Sequence, residues 1–173
     1  MHNIRPAKIV VFGCGNILIG DDGFGPAVIA ELQTMDDLPP DVILEDVGTG
    51  IREYLFDYIL APELAPKTLI ILDAVEIENR RPGEVFTITP DTIPAKKIHD
   101  FSLHQFPTVN LLWELAEHTG SEVCIIAAQV EHIPDEISPG LTPTMERAVE
   151  RASREVLKLA ARTCERDNKE TCI

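Results

Sequence analysis

No hydrophobic run in this 173-residue chain approaches the roughly 20 residues that a membrane-spanning helix requires. The opening stretch MHNIRPAKIVVFG passes from basic residues straight into a strand-like run, without the apolar core and small-residue cleavage site of a signal peptide. A cytoplasmic protein without membrane association is therefore expected. Positive charge is scarce as well: Lys+Arg 15 against Asp+Glu 29 leave a formal net charge of −14. That balance repels nucleic acid and anionic lipid, so neither is expected as a partner, while cations and basic protein surfaces remain compatible. The cysteines Cys14, Cys124, Cys164 and Cys172 lack any C-x-x-C spacing, which argues against a disulfide framework or a structural zinc site and leaves reduced thiols.

Several catalytic signatures are missing too. There is no G-x-S-x-G elbow and no H-E-x-x-H helix, so serine-hydrolase and zincin chemistry have no support. A dinucleotide turn would need glycine at position 18, where Leu18 stands, and no Walker lysine follows. No internal repeat or linker interrupts the chain, and 45% hydrophobic residues suffice for one sizeable core.

What is present alternates between short apolar runs and amphipathic segments. Lys8 to Phe12, Val42 to Leu44, Thr68 to Asp73, Val85 to Thr89 and Val123 to Val130 read as strands, the third buried on both faces and the fourth peripheral. Between them, Phe24, Val28, Leu32 and Met35 mark a helix ended by Pro39-Pro40, and Ile51, Tyr54, Leu55, Tyr58 and Ile59 mark another. Val109, Leu112, Trp113 and Ala116 form a third helical face stopped by Gly120. Thr142-Pro143 supplies an N-cap and N1 pair for a long last helix. The expected fold is a single three-layer α/β domain over residues 1–164, a twisted, mostly parallel five-stranded sheet with helices on both faces. Residues 165–173 form a polar tail expected to fray.

In such sheets the ligand crevice lies outside the carboxyl ends of the strands, so the strand-to-helix turns hold the candidate chemistry. The first turn, GCGNILIGDDGFG, carries Asp21 and Asp22 where a phosphate loop would need positive or neutral groups. Taken singly, one acid is expected to cap the following helix and the other to face water. Asp73 alone could bond loop amides, and His104 alone could be a solvated loop residue. If the first and third strands are neighbours, Asp22, Asp73 and His104 can instead converge, offering two oxygen donors and one nitrogen donor to a borderline divalent ion. His99, His132 and Cys14 are second-rank ligand candidates.

The segments GCGNILIGDDGFG, EDVGTG, TLIILDAV, SLHQF and SPGLTPTMERA follow one another in the order of a known family. With them the chain resembles the hydrogenase maturation endopeptidases, which process the large subunit of nickel–iron hydrogenases. The resemblance covers nearly the whole chain up to the last helix, and the GCGN…GDDGFGP wording is most similar to the branch serving coenzyme F420-reducing hydrogenases. It implies that Asp22, Asp73 and His104 bind metal and carry the site, and that Asp46, Gly48 and Thr49 of the D-x-G-T segment recognise substrate. Val47 departs from the Gly, Cys or Phe usual in that segment. The implied partner is the nickel-loaded large-subunit precursor, from which a C-terminal extension is cut. Nickel would arrive with that substrate, and no organic cofactor is implied. Hydrolysis through a metal-polarised carbonyl or water, and hydrolysis through an aspartate acting as general base, both remain open. So does a non-catalytic chaperone that senses metal in the same precursor.

Overall fold

Strand β1 (Ile9–Cys14) is apolar throughout and buried at every position, the signature of a strand covered on both sheet faces. In the computed structural model, which describes residues 7–89 and 109–170 and not the side chains of 109 and 167–170, it is a central strand. It is flanked in parallel by β2 (Val42–Gly48) and β3 (Thr68–Val75). β5 (Glu122–Gln129) extends the parallel sheet from β3, and β4 (Val85–Ile88) pairs antiparallel with β5 to close the edge, giving the order β2-β1-β3-β5-β4. The expected fold class therefore holds, with β4 peripheral as its mixed composition implied. β1 and β3 lie side by side, the adjacency on which convergence of Asp22 and Asp73 depends.

The strand alternation divides the core into two layers. Ile9 and Val11 of β1 with Ile70, Leu72 and Ala74 of β3 face helices α1 (Phe24–Leu32) and α4 (Pro143–Glu170). Val10, Phe12 and Cys14 with Leu69, Ile71 and Val75 face α2 (Ile51–Leu60) and α3 (Val109–Thr119). On the latter side Tyr54 and Tyr58 place their rings 5.2 and 6.2 Å from that of Phe12, which accounts for their spacing along α2.

Three elements differ from expectation. α1 ends at Leu32 rather than at the proline pair. Thr34 donates its hydroxyl to the Glu31 carbonyl (2.7 Å), and Asp36 and Asp37 would lie unfavourably against the negative end of a longer helix. In α3 the buried stripe is Leu111, Leu112 and Leu115, while Trp113, about 100° round the helix from Leu112, is exposed. The backbone of α4 stays helical through Glu170, beyond the start of the polar tail at residue 165. Gly120 does stop α3, with φ +71 and its N–H bonded to the Ala116 carbonyl. Among the described residues no helix is long and apolar enough to cross a membrane.

Candidate active site

The site begins where β1 runs out. At Gly15 φ is +132, and a Cβ there would stand 1.9 Å from the Asp22 carbonyl oxygen, so only glycine lets the chain fold back over the turn that follows. Asn16 then organises that fold. Its N–H donates to Asp22 Oδ2 (2.7 Å), its side-chain Oδ1 accepts from Leu18 N–H (3.0 Å), and its carbonyl accepts from Ile19 N–H (3.0 Å). A short 3-10 turn, Gly20–Gly23, carries Asp21 and Asp22 into the start of α1 and packs against β3.

Asp22 is 1% exposed, and the Asn16 N–H fixes the plane of its carboxylate. Asp73, likewise 1% exposed, sits near the carboxyl end of β3 opposite Ala127 of β5 and accepts the Ala74 N–H on Oδ1 (2.9 Å). By strand alternation it shares a sheet face with Leu69, Ile71 and Val75, the face that also carries Cys14. Cys14 reports how closely the acids gather. Its thiol is pushed well above the ordinary range, first by burial and then by the negative charges of Asp73, Asp46 and Asp22. The charges of both buried aspartates are thus felt at one residue of an inner strand. Burial and the same field favour the protonated thiol of Cys14.

Asp46, Val47, Gly48 and Thr49 border this end of the sheet. Cys14 lies opposite Gly48 across an irregularity in the β1–β2 pairing, and Gly15 N–H donates to the Gly48 carbonyl (2.9 Å). Asp46 Oδ1 accepts from Gly48 N–H (3.0 Å) in a tight turn at φ +52, and Asp46 and Thr49 are exposed at the rim. Val47 points into the α2–α3 layer and is buried, so the departure from the family pattern falls on a packing position.

Asp21 is the residue that sequence reasoning misassigned. Neither it nor Asp22 faces water, and no side chain caps α1. Fully buried, Asp21 instead accepts the N–H groups of Glu131 and His132 on Oδ2 (2.9 Å each) and that of Thr142 on Oδ1 (2.7 Å). The Thr142 hydroxyl adds a contact at 3.2 Å to Oδ2 and lies 3.3 Å from the Met145 N–H as the N-cap of α4. The carboxylate therefore serves the N-terminus of a helix more than a hundred residues away, where charge-assisted bonds and the helix dipole both favour it. No local pattern signals that partner. Asn16, by contrast, stood in an N-x-L turn setting that suits an Asx bond.

His132 donates its backbone N–H to Asp21 and is exposed. His104 and His99 lie outside the described residues. Among the described residues no group of three or more His, Cys, Asp or Glu is arranged to hold a metal. What the described part offers is two buried carboxylates in a strongly acidic setting. From Ile9 to Ile51, the stretch that builds β1, α1 and β2, there is not one Lys or Arg. Such a field draws cations and rejects phosphates. Hard oxygen donors fit a divalent ion that brings its other ligands with it.

The fold and this geometry define a three-layer α/β protein with an acidic site at the carboxyl edge of a mainly parallel sheet. The family model described as hydrogenase maturation protease matches residues 26–159. The coenzyme F420 hydrogenase subunit delta of Methanothermobacter thermautotrophicus is 34% identical over 155 residues, covering 87% of this chain and 93% of the relative. The hydrogenase 2 maturation protease of Escherichia coli is 33% identical over 152 residues, covering 87% and 88%. Among solved structures, the hydrogenase maturating endopeptidase HybD from E. coli superposes with a TM-score of 0.70 at 30% identity, covering 90% of this chain and 93% of that one. The chain belongs to the hydrogenase maturation proteases, a family of hydrolytic enzymes.

Proposed function

We propose that this protein is the endopeptidase that removes the C-terminal extension from the nickel-loaded large-subunit precursor of a nickel–iron hydrogenase, the F420-reducing type in particular. The observation that carries this reading is the pair of buried aspartates, Asp22 in the turn after β1 and Asp73 near the end of neighbouring β3, in a member of this protease family. The likeness to a coenzyme F420 hydrogenase delta subunit supports the choice of hydrogenase.

In this reading Asp22 and Asp73, with His104, contact the nickel that the precursor brings, while Asp46, Gly48 and Thr49 at the rim meet the precursor chain. Nickel is here part of the substrate. Because the donor set is completed only by a loaded precursor, an unloaded one is held too loosely to be cut. Contacts to the ion also fix the scissile bond against the site, and orientation of that kind is a large part of what an enzyme contributes. Water then adds across the peptide bond: its oxygen joins the carbonyl carbon, the C–N bond breaks, and the new amine takes a proton.

Purified protein mixed with nickel-loaded precursor should shorten it, as seen by mass spectrometry, and leave nickel-free precursor intact. Asp22→Ala and Asp73→Ala should stay folded by circular dichroism and lose processing by at least about a hundredfold, the scale at which a lost positioning contact acts. Full processing by either variant would remove that residue from the site. Binding of loaded precursor without loss of mass by the wild-type protein would replace the protease with a metal-sensing chaperone.

A further inference from the structure

Beside the buried aspartates the surface turns apolar. Ile17 and Leu18, the residues after Asn16, are 58% and 45% exposed, and Ile137 is 72% exposed. Ile137 comes from the β5–α4 connection, yet it lies next to them for a definite reason. Ile19 and Ser138 form a parallel bridge in which Ser138 N–H donates to the Leu18 carbonyl and Gly20 N–H to the Ser138 carbonyl, 2.9 Å each. Leu18 and Ile137 are therefore neighbours in register. Asp21 fastens the same connection at both ends, through Glu131 and His132 on one side and Thr142 on the other. Gly20 holds φ +50 against Pro134, whose Cδ would be 2.6 Å from a Cβ there.

Exposing three large aliphatic side chains on a segment tied down so firmly forgoes burial energy that a collapsed loop would recover. The lip is thus displayed rather than incidental. The segments that build it are acidic: Glu131, Asp135 and Glu136 are exposed on the same connection, and no Lys or Arg occurs from Ile9 to Ile51 or from Val109 to Glu146.

We propose that Ile17, Leu18 and Ile137 form a docking lip for the precursor polypeptide itself, receiving a segment in which apolar residues are flanked by Lys or Arg. This rests on the reading of the site as a precursor-processing one. Continuity carries it, since Ile17 follows directly on the Asn16 amide that orients Asp22 and its Cα lies 3.2 Å from a Cβ built at Gly23 of the aspartate turn. Charge complementarity supplies the flanking cations. The lip adds binding energy away from the reacting atoms, so it governs capture of the precursor and leaves the cutting step alone.

The test uses the full chain and nickel-loaded precursor, with initial rates taken over a range of precursor concentrations. An Ile17→Ser, Leu18→Ser, Ile137→Ser variant should raise KM at least about tenfold at unchanged kcat, with only a small fall in melting temperature because about half or more of each residue is already exposed. The wild type should show KM rising with salt, and neutralising the rim by Glu131→Gln, Asp135→Asn and Glu136→Gln should flatten that rise. A lip variant with wild-type KM, or a KM effect that tracks loss of a homodimer in light scattering, overturns the docking proposal while processing by the wild type stands. A wild-type chain that leaves loaded precursor unbound and uncut overturns the functional reading, and the lip falls with it.

Discussion

Asp21 and Asp22 are adjacent in the chain and equally buried, but they have different work to do. Asp21 is spent on the backbone amides of Glu131, His132 and Thr142, while Asp22 is oriented by the Asn16 amide at the sheet end where Asp73 also lies. Substituting them should therefore separate stability from activity. Asp21→Ala removes the acceptor of three part-buried N–H groups at once, an effect on the order of 3 kcal/mol. For a domain of this size that corresponds to a melting temperature lower by roughly 10 °C, measurable by calorimetry. Asp22→Ala should lose less stability and all useful processing. The candidacy of Asp22 and Asp73 was legible in the sequence because one follows the first apolar run and the other closes the third. The role of Asp21 was not, because its partners are 110, 111 and 121 residues away.

At the scale of elements, the site depends on how closely α1 lies on the sheet. A Cβ at Gly25 would stand 2.2 Å from the Cys14 carbonyl oxygen, 2.5 Å from its nitrogen and 2.7 Å from the Leu72 carbonyl oxygen. These are backbone atoms of two strands and cannot swing aside. Gly25→Ala should push the helix outward with the aspartate turn at its head, costing roughly 1–3 kcal/mol by overpacking and lowering processing as well. Gly120→Ala makes the useful contrast, since nothing lies within 4 Å of its would-be Cβ and only the positive φ of the α3 stop is strained. It should cost about 1 kcal/mol and leave processing rates unchanged. Denaturant melts paired with the precursor assay distinguish the two.

Across the whole molecule, the inner strands β1 and β3 are buried at every position, and burial favours the protonated thiols of Cys14 and Cys124. Burial, then Glu122 and Glu155, push Cys124 up to about 11, and Cys14 is raised well above its ordinary value by burial and the site carboxylates. Alkylation of the native protein at pH 8, followed by mass spectrometry, should label Cys164 well before Cys14 or Cys124. The same shifts carry a stability consequence. A thiol that ionises near 9 in the unfolded chain and near 11 in the folded one favours unfolding as protons are lost. Its stability contribution is complete below pH 9 and disappears as pH rises through 11, so the melting temperature should fall across that window.

By itself the sequence determined the alternation of strands and helices, the double-sided burial of β1 and β3, and the acidity of the turn that follows β1. These follow from local periodicity and composition, which act over a few residues. Only the tertiary structure decided that β1 and β3 are neighbours, that Asp21 belongs to the N-terminus of α4, that Trp113 lies outside the α3 stripe, and that Ile137 stands beside Leu18. Each of these joins residues through strand order, helix rotation or a hydrogen bond across a long loop. Spacing along the chain carries no record of such contacts, because many packings share the same local pattern and burial selects one of them.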